Sequence, residues 1–228
     1  MDALSDDLVL VLLDPHSGRP LVDSTRARAV IGGAVLLDLA LRERLVAEPA
    51  RWGGDKLQVA DPSPTGDPVL DHAVSRLGSR RTAASTAVTR VAGGRTAQTV
   101  RERLAARGAV RHEPGGFLRF ARDHPDPAVR EPLVAAVAAA LQGTRPVTVR
   151  TAALVSLVHS VGAVGKVVPG HGWSRKELDA RVASVAKTLD EGHWAGSAVA
   201  AAVRSAQAAV TAAIVASTSA ATAGGASS

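Results

Sequence analysis

The stretch that most constrains the fold is 25–46. Val30, Ala34, Leu37 and Leu41 recur at three- and four-residue intervals, and Leu36, Leu39, Leu45 and Val46 widen the apolar side. This period belongs to a helix with a broad buried face. Gly32 and Gly33 stand in the middle of it. A glycine inside a helix costs about 1 kcal/mol relative to alanine, so a pair there predicts that another helix crosses close by.

The same kind of packing is expected throughout. Hydrophobic residues make up 46% of the 228, but only 2% of residues are aromatic and none is Tyr. A core built from Ala, Val and Leu favours closely packed helices over wide pocket walls. The spacing predicts helices near 5–13, 68–77, 80–91, 96–107, 130–142, 148–163, 175–190 and 195–216. Ser5 reads as the N-cap of the first, Asp67-Pro68 as the start of the second, and Gly108 as the stop after the fourth. Ser174-Arg-Lys-Glu177 has the form of a capping box. Residues 56–60 alternate and read as a short strand. Val110-Arg-His112, the turn Glu113-Pro-Gly-Gly116 and Phe117-Leu-Arg-Phe120 read as a β-hairpin, with a loop over 123–127. There is no internal repeat and no clear linker. The expected fold class is therefore mainly α: one helical domain over 1–216 with a protruding hairpin, then a disordered Gly/Ser/Ala/Thr tail over 217–228.

The run 195–216 is apolar enough to raise the question of a membrane span. It is mostly Ala, however, and Arg204 and Gln207 interrupt it. A central Arg costs about 2.5–3.5 kcal/mol on insertion, so a buried helix is expected instead. The opening Met-Asp-Ala-Leu-Ser-Asp-Asp lacks the basic and apolar regions of a signal peptide. With no cysteine anywhere, disulfides and thiolate metal sites are excluded, and a cytoplasmic location is expected.

Catalytic patterns fail on inspection. Gly165-Lys166 resembles half of a phosphate-binding loop, but Ser160 stands where the first glycine belongs and Val167 where the hydroxyl belongs. Ser63 lies between prolines, not in a nucleophile elbow. The seven histidines include no pair at metal-binding helical spacing, and His159, in an apolar helix, reads as a hydrogen-bonded core residue. Asp67, Asp71 and His72 could meet at one helix start, yet capping and the positive helix end account for both carboxylates. No enzyme activity, cofactor or metal is expected.

Charge carries the remaining signal. The net charge is +6, but residues 72–130 hold 12 bases, all Arg, against 4 acids. Arg101, Arg103 and Arg107 share the helix over 96–107, and the hairpin adds Arg111, Arg119 and Arg122. Arginine presents a planar fork suited to phosphate. A helix followed by a wing fits DNA, with arginines on phosphates and base edges. It equally fits a lipid surface, with arginines on headgroups and Phe117 or Phe120 dipping into the interface.

Four segments in order resemble one family. They are Gly32-Gly-Ala-Val-Leu-Leu-Asp-Leu-Ala-Leu-Arg-Glu-Arg-Leu45; Asp61-Pro-Ser-Pro-Thr-Gly-Asp67 with Leu70-Asp71; Val100-Arg-Glu-Arg-Leu104 with Gly108 and the Phe117–Phe120 hairpin; and Arg150-Thr-Ala-Ala-Leu154 through His159-Ser160. Together they are similar to the Golgi phosphoprotein 3 family, peripheral membrane proteins that bind phosphatidylinositol 4-phosphate, over roughly residues 4–214. The Ala- and Arg-rich composition points to a bacterial member. The resemblance implies a helical core whose arginine helix binds an anionic phospholipid headgroup. It also implies a hairpin in lipid contact or self-association, and an adaptor role toward client proteins at a cytoplasmic membrane face. Arg101 and Arg103 match the family's headgroup helix. Its earlier arginine falls at Gln98, and its pocket Trp and Arg fall at Val22 and Ile31, with Arg26 and Arg28 nearby as substitutes. The hairpin residues implied for membrane contact are Phe117, Arg119 and Phe120. Nucleic acid, through the 96–122 helix and hairpin, is the alternative partner.

Overall fold

The computed structural model describes residues 3–48, 56–115, 121–191, 206 and 208–212. The chain divides into two compact units, each discontinuous in sequence: Met1–Asp23 with Gln98–Gly192, and Ser24–Ala97 with His193–Ser228. No linker announces this division, because the chain leaves and re-enters each unit next to or within a helix. Among the described residues no helix is long and apolar enough to cross a membrane.

The first unit is built on α1 (Leu4–Val11), whose residues are all buried. Against it pack α6 (Pro127–Gln142) and α7 (Val149–Ser160), and both of those meet α9 (Arg175–Glu191). The short α8 (Val164–Val167) follows α7. Ser5 does not cap α1. The cap position is Ala3, which makes no side-chain cap bond, and Ser5 lies buried inside the first turn. The other end of α1 is held from a distance. Arg130, on α6 and 8% exposed, donates from Nε to the Leu13 carbonyl at 3.1 Å. A cation there satisfies carbonyls that the helix leaves open and complements its negative end. Beyond α1, Asp14 accepts from the backbone N–H groups of His16 and Ser17, and Gly18 takes a positive φ of 63° to close the turn.

The second unit centres on α2 (Ser24–Leu41), which is buried along most of its length. The helix stops before the expected 46. Glu43 takes a left-handed φ of 59°, and Leu45 and Val46 enter β1 (Leu45–Glu48), where alternate residues face inward. β1 pairs antiparallel with β2 (Lys56–Val59), Leu45 opposite Val59. β2 pairs with the two-residue β3 (Thr82–Ala83), Leu57 opposite Thr82. The helix expected from 80 is therefore α4 (Ala84–Val91), shortened because Thr82 joins the sheet and is buried there.

α3 (Pro68–Leu77) lies where expected. Asp67 Oδ1 accepts from Val69 N at 2.9 Å, and Pro68 takes the first helical position. The glycine pair marks the predicted close crossing. A Cβ on Gly32 would lie 2.9 Å from the Cα of Ala92, just after α4, and one on Gly33 would collide with Val210.

α5 (Gly94–Ala106) runs through the division between the units. Gly108, φ 69°, ends it. The hairpin then forms between β4 (Val110–Glu113) and β5 (Arg122–Pro125), with His112 opposite Asp123. Residues 123–125, expected as loop, thus join Arg122 in the second strand. The segment assigned that role by sequence, Phe117–Phe120, lies outside the described residues, as does most of the expected helix over 195–216. Asp126 and Pro127 then start α6 as Asp67 and Pro68 start α3, with Asp126 Oδ1 accepting from Ala128 N.

Candidate functional site

The arginine helix sorts its side chains by face. Ala97, Val100 and Leu104 of α5 are buried, so the intervening positions point away from that packing. Arg103 borders the buried stripe, and its side chain is only 9% exposed. Its Nε and Nη2 donate to Asp6 Oδ1 at 2.9 and 2.6 Å, and Nη2 also donates to the Ser5 hydroxyl at 3.2 Å. Arg107 reaches the other oxygen of the same carboxylate at 3.1 Å. Asp7, next in α1, accepts from Arg150 Nε of α7 at 2.7 Å. The two acids in the first turn of α1 therefore tie α5 and α7 to it. A buried carboxylate whose one oxygen takes two nitrogens of a guanidinium is a structural anchor.

Arg101 is placed differently. Its side chain is 43% exposed, and the carboxylate of Asp123 lies 3.6 Å from Nε. Asp123 is already engaged by His112 Nδ1 at 2.7 Å, across the hairpin. Arg101 and Arg111 are exposed, and Arg107 is half-exposed while its Nη1 donates to Asp6. Gln98, one turn before Arg101, donates to Glu102 at 2.8 Å. An exposed guanidinium such as that of Arg101 can hold a phosphate by charge-assisted hydrogen bonds. Arg119, Phe117 and Phe120 lie outside the described residues.

The remaining predicted cations, Arg26 and Arg28, stand on α2 in the other unit. Arg26 is half-buried and Arg28 exposed. Val22 is half-buried and Ile31 is buried, so the position implied for a pocket arginine carries a core side chain instead.

Several of the residues weighed for catalysis hold structural contacts. Thr65 donates both its N–H and its hydroxyl to Asp71 Oδ1, each at 2.7 Å. These bonds hold the Asp71 carboxyl below its usual range. Ser63 donates its N–H to Asp61 Oδ1, and Arg44 Nη1 pairs with Asp61 and donates to the Ser63 hydroxyl at 2.7 Å. The turn Asp61-Pro-Ser-Pro-Thr-Gly-Asp67 is therefore a staple that fixes the entry to α3. His72 is kept below the ordinary histidine range by burial first, and then by the positive charge of Arg95 and Arg76. His159, read from sequence as a core residue, is half-buried with Nε2 3.4 Å from Asp179. Lys166 Nζ donates to the Leu21 carbonyl at 2.7 Å. No group of three or more metal-ligating side chains comes together among the described residues.

What the sequence did not reveal is the anchor. Arg103 and Arg101 look alike in the sequence. The available signal was the opposite end of each contact: two carboxylates and a serine inside a helix that is otherwise apolar, at Ser5-Asp6-Asp7. Buried acids require cations.

Comparison with known proteins agrees with the pattern of segments. The family model described as Golgi phosphoprotein 3 (GPP34) matches residues 4–206. No curated protein matches the chain.

Proposed function

The chain belongs to the Golgi phosphoprotein 3 family, and from that membership we propose that it binds the anionic headgroups of phospholipids at a cytoplasmic membrane face. In this reading it is a peripheral membrane protein that acts by binding, without catalysis, and serves as an adaptor for client proteins there. The headgroup is a phosphorylated one of the phosphatidylinositol 4-phosphate kind. The observation that carries the reading is the separation of the two family arginines. Arg103 is consumed by Asp6, whereas the Arg101 side chain is 43% exposed, with the Asp123 carboxylate 3.6 Å away. Arg101 is therefore the principal headgroup contact, with Arg107 and Arg111 extending the positive field.

Co-sedimentation with vesicles tests this. The vesicles are phosphatidylcholine alone, or phosphatidylcholine carrying phosphatidylglycerol, phosphatidylinositol or phosphatidylinositol 4-phosphate. Wild type is expected in the pellet with anionic vesicles only, and Arg101→Ala is expected to lower that fraction. Equal sedimentation of wild type with neutral and anionic vesicles, or no sedimentation at all, refutes the reading.

A further inference from the structure

Between Asp71 and Glu102 the chain holds six arginines and no acid. Five of them, Arg76, Arg80, Arg81, Arg90 and Arg95, belong to the second compact unit, which does not contain Arg101. Their surroundings differ. Arg81 pairs with Glu48 at 2.7 Å, as Arg44 in the same unit pairs with Asp61. Arg76 and Arg90 have no carboxylate partner among the described residues. Arg76 Nε instead donates to the Arg90 carbonyl at 3.4 Å, which brings the end of α3 to the end of α4. Arg90 Nη1 donates to the Thr82 hydroxyl at 3.0 Å. Both arginines are exposed.

Arg95 is in the same unit. It is exposed in the first turn of α5, where a helix favours acids and this one has none. His72 is kept below its ordinary range by burial first, and then by the positive charge of Arg95 and Arg76. Arg76 and Arg90 each complement the negative end of their own helix, and the bond from Arg76 Nε to the Arg90 carbonyl sets the two helix ends side by side. Like charges brought together oppose folding unless an anion relieves them. The exposed hydroxyl residues Ser75 and Thr89 lie beside them in sequence.

We propose that Arg76 and Arg90 form a second basic surface, in the unit that does not contain Arg101, that docks on the phosphate headgroups of an anionic membrane. The inference rests on the membrane reading above. It is a headgroup contact only, since residues 72–95 contain no Phe, Tyr or Trp that could insert into lipid. The same lack disfavours single-stranded nucleic acid, which needs aromatic platforms for its bases.

The test uses the full chain with phosphatidylcholine vesicles, with and without phosphatidylglycerol, at low salt. A basic side chain near such a surface contributes about fivefold in affinity, so the double variant Arg76→Gln, Arg90→Gln should bind about 25-fold more weakly. The charge-preserving Arg76→Lys, Arg90→Lys should bind within a fewfold of wild type. Melting curves of both variants, run in parallel, identify any loss caused by unfolding, and the lysine pair then decides. If Arg101→Gln weakens binding while the glutamine pair does not, the second surface is refuted and the first stands. If the glutamine pair weakens binding and Arg101→Gln does not, the first site is refuted and the second stands. If wild type ignores phosphatidylglycerol vesicles, both fall together. Tighter binding to duplex DNA than to vesicles at the same salt also overturns the membrane assignment.

Discussion

Replacing Arg103 by alanine should cost stability first and binding only as a consequence, whereas replacing Arg101 should do the reverse. Asp6 is 3% exposed in its side chain and receives two of the Arg103 nitrogens. Removing one member of a buried pair costs about 3–5 kcal/mol, because the remaining charge stays out of water without a partner. Arg107 still reaches Asp6 at 3.1 Å, but half of its own side chain is in solvent, so the expected cost is near the lower end, about 3 kcal/mol. For a cooperative unit of this size that corresponds to a fall in melting temperature of about 10 °C. Arg101 is 43% exposed and 3.6 Å from Asp123. Its loss should change stability by less than about 1 kcal/mol. Circular dichroism melts of the two variants, followed by vesicle sedimentation well below the lower transition, separate the effects. Arg103→Lys should recover part of the stability, since it restores the charge but not the two-pronged geometry. Asp6→Asn in the Arg103→Ala background should cost less than it does alone, because the carboxylate has already lost its main partner. If Arg103→Ala melts with wild type yet fails to bind vesicles, Arg103 is a headgroup ligand and the anchor argument is wrong.

Three further outcomes follow from the packing and the turns. Gly33→Ala gains about 1 kcal/mol in helix propensity but forces a methyl group into Val210. Overpacking of this kind costs about 1–3 kcal/mol, so the variant should be less stable, and Val210→Ala should relieve it. A more stable Gly33→Ala in denaturant titration would show that the contact is loose. The Asp71 carboxyl is held below its unfolded value chiefly by the Thr65 N–H and hydroxyl. Its contribution is therefore complete above the unfolded carboxylate pKa of about 4, and it is lost as pH falls through the folded value. Melting temperature should drop below pH of about 4, and Asp71→Asn should flatten that drop; an unchanged slope would remove Asp71 from the account. In the α9 capping box, Glu177 accepts from both the Ser174 N–H and hydroxyl, and Ser174 Oγ accepts from Glu177 N. Ser174→Ala should lower stability by about 1 kcal/mol, measured by the shift of the denaturant midpoint.

The second strand of the hairpin shows how far local pattern reaches. Phe117-Leu-Arg-Phe120 has strand-forming residues, whereas Arg122-Asp-His-Pro125 looks like turn chemistry, and yet it is the latter that pairs with Val110–Glu113. Register there is fixed by partners: the His112–Asp123 contact and the burial of Val110 and Pro125. Similarly, Thr82 has a helical pattern around it yet joins the sheet, because β2 offers it an edge. His159 stands in an apolar helix yet lies half-buried beside Asp179. In each case the deciding contact lies outside the window in which a residue's neighbours can be inferred.

The sequence by itself determined where α3, α7 and α9 begin, where α5 stops, and that helices cross tightly at Gly32 and Gly33; the start of α6, expected near 130, lies at Pro127. Those features are set within about four residues, by a cap that completes open N–H groups, a glycine that takes positive φ, or a missing Cβ. It also determined that the middle of the chain is basic and which family the segments belong to. Only the tertiary structure decided what each arginine does. Arg101 and Arg103 are two residues apart on one helix, but a helix turns such neighbours to different sides. The partner that claims Arg103 is 97 residues away. An ion pair depends on distance through space, and distance along the chain does not report it.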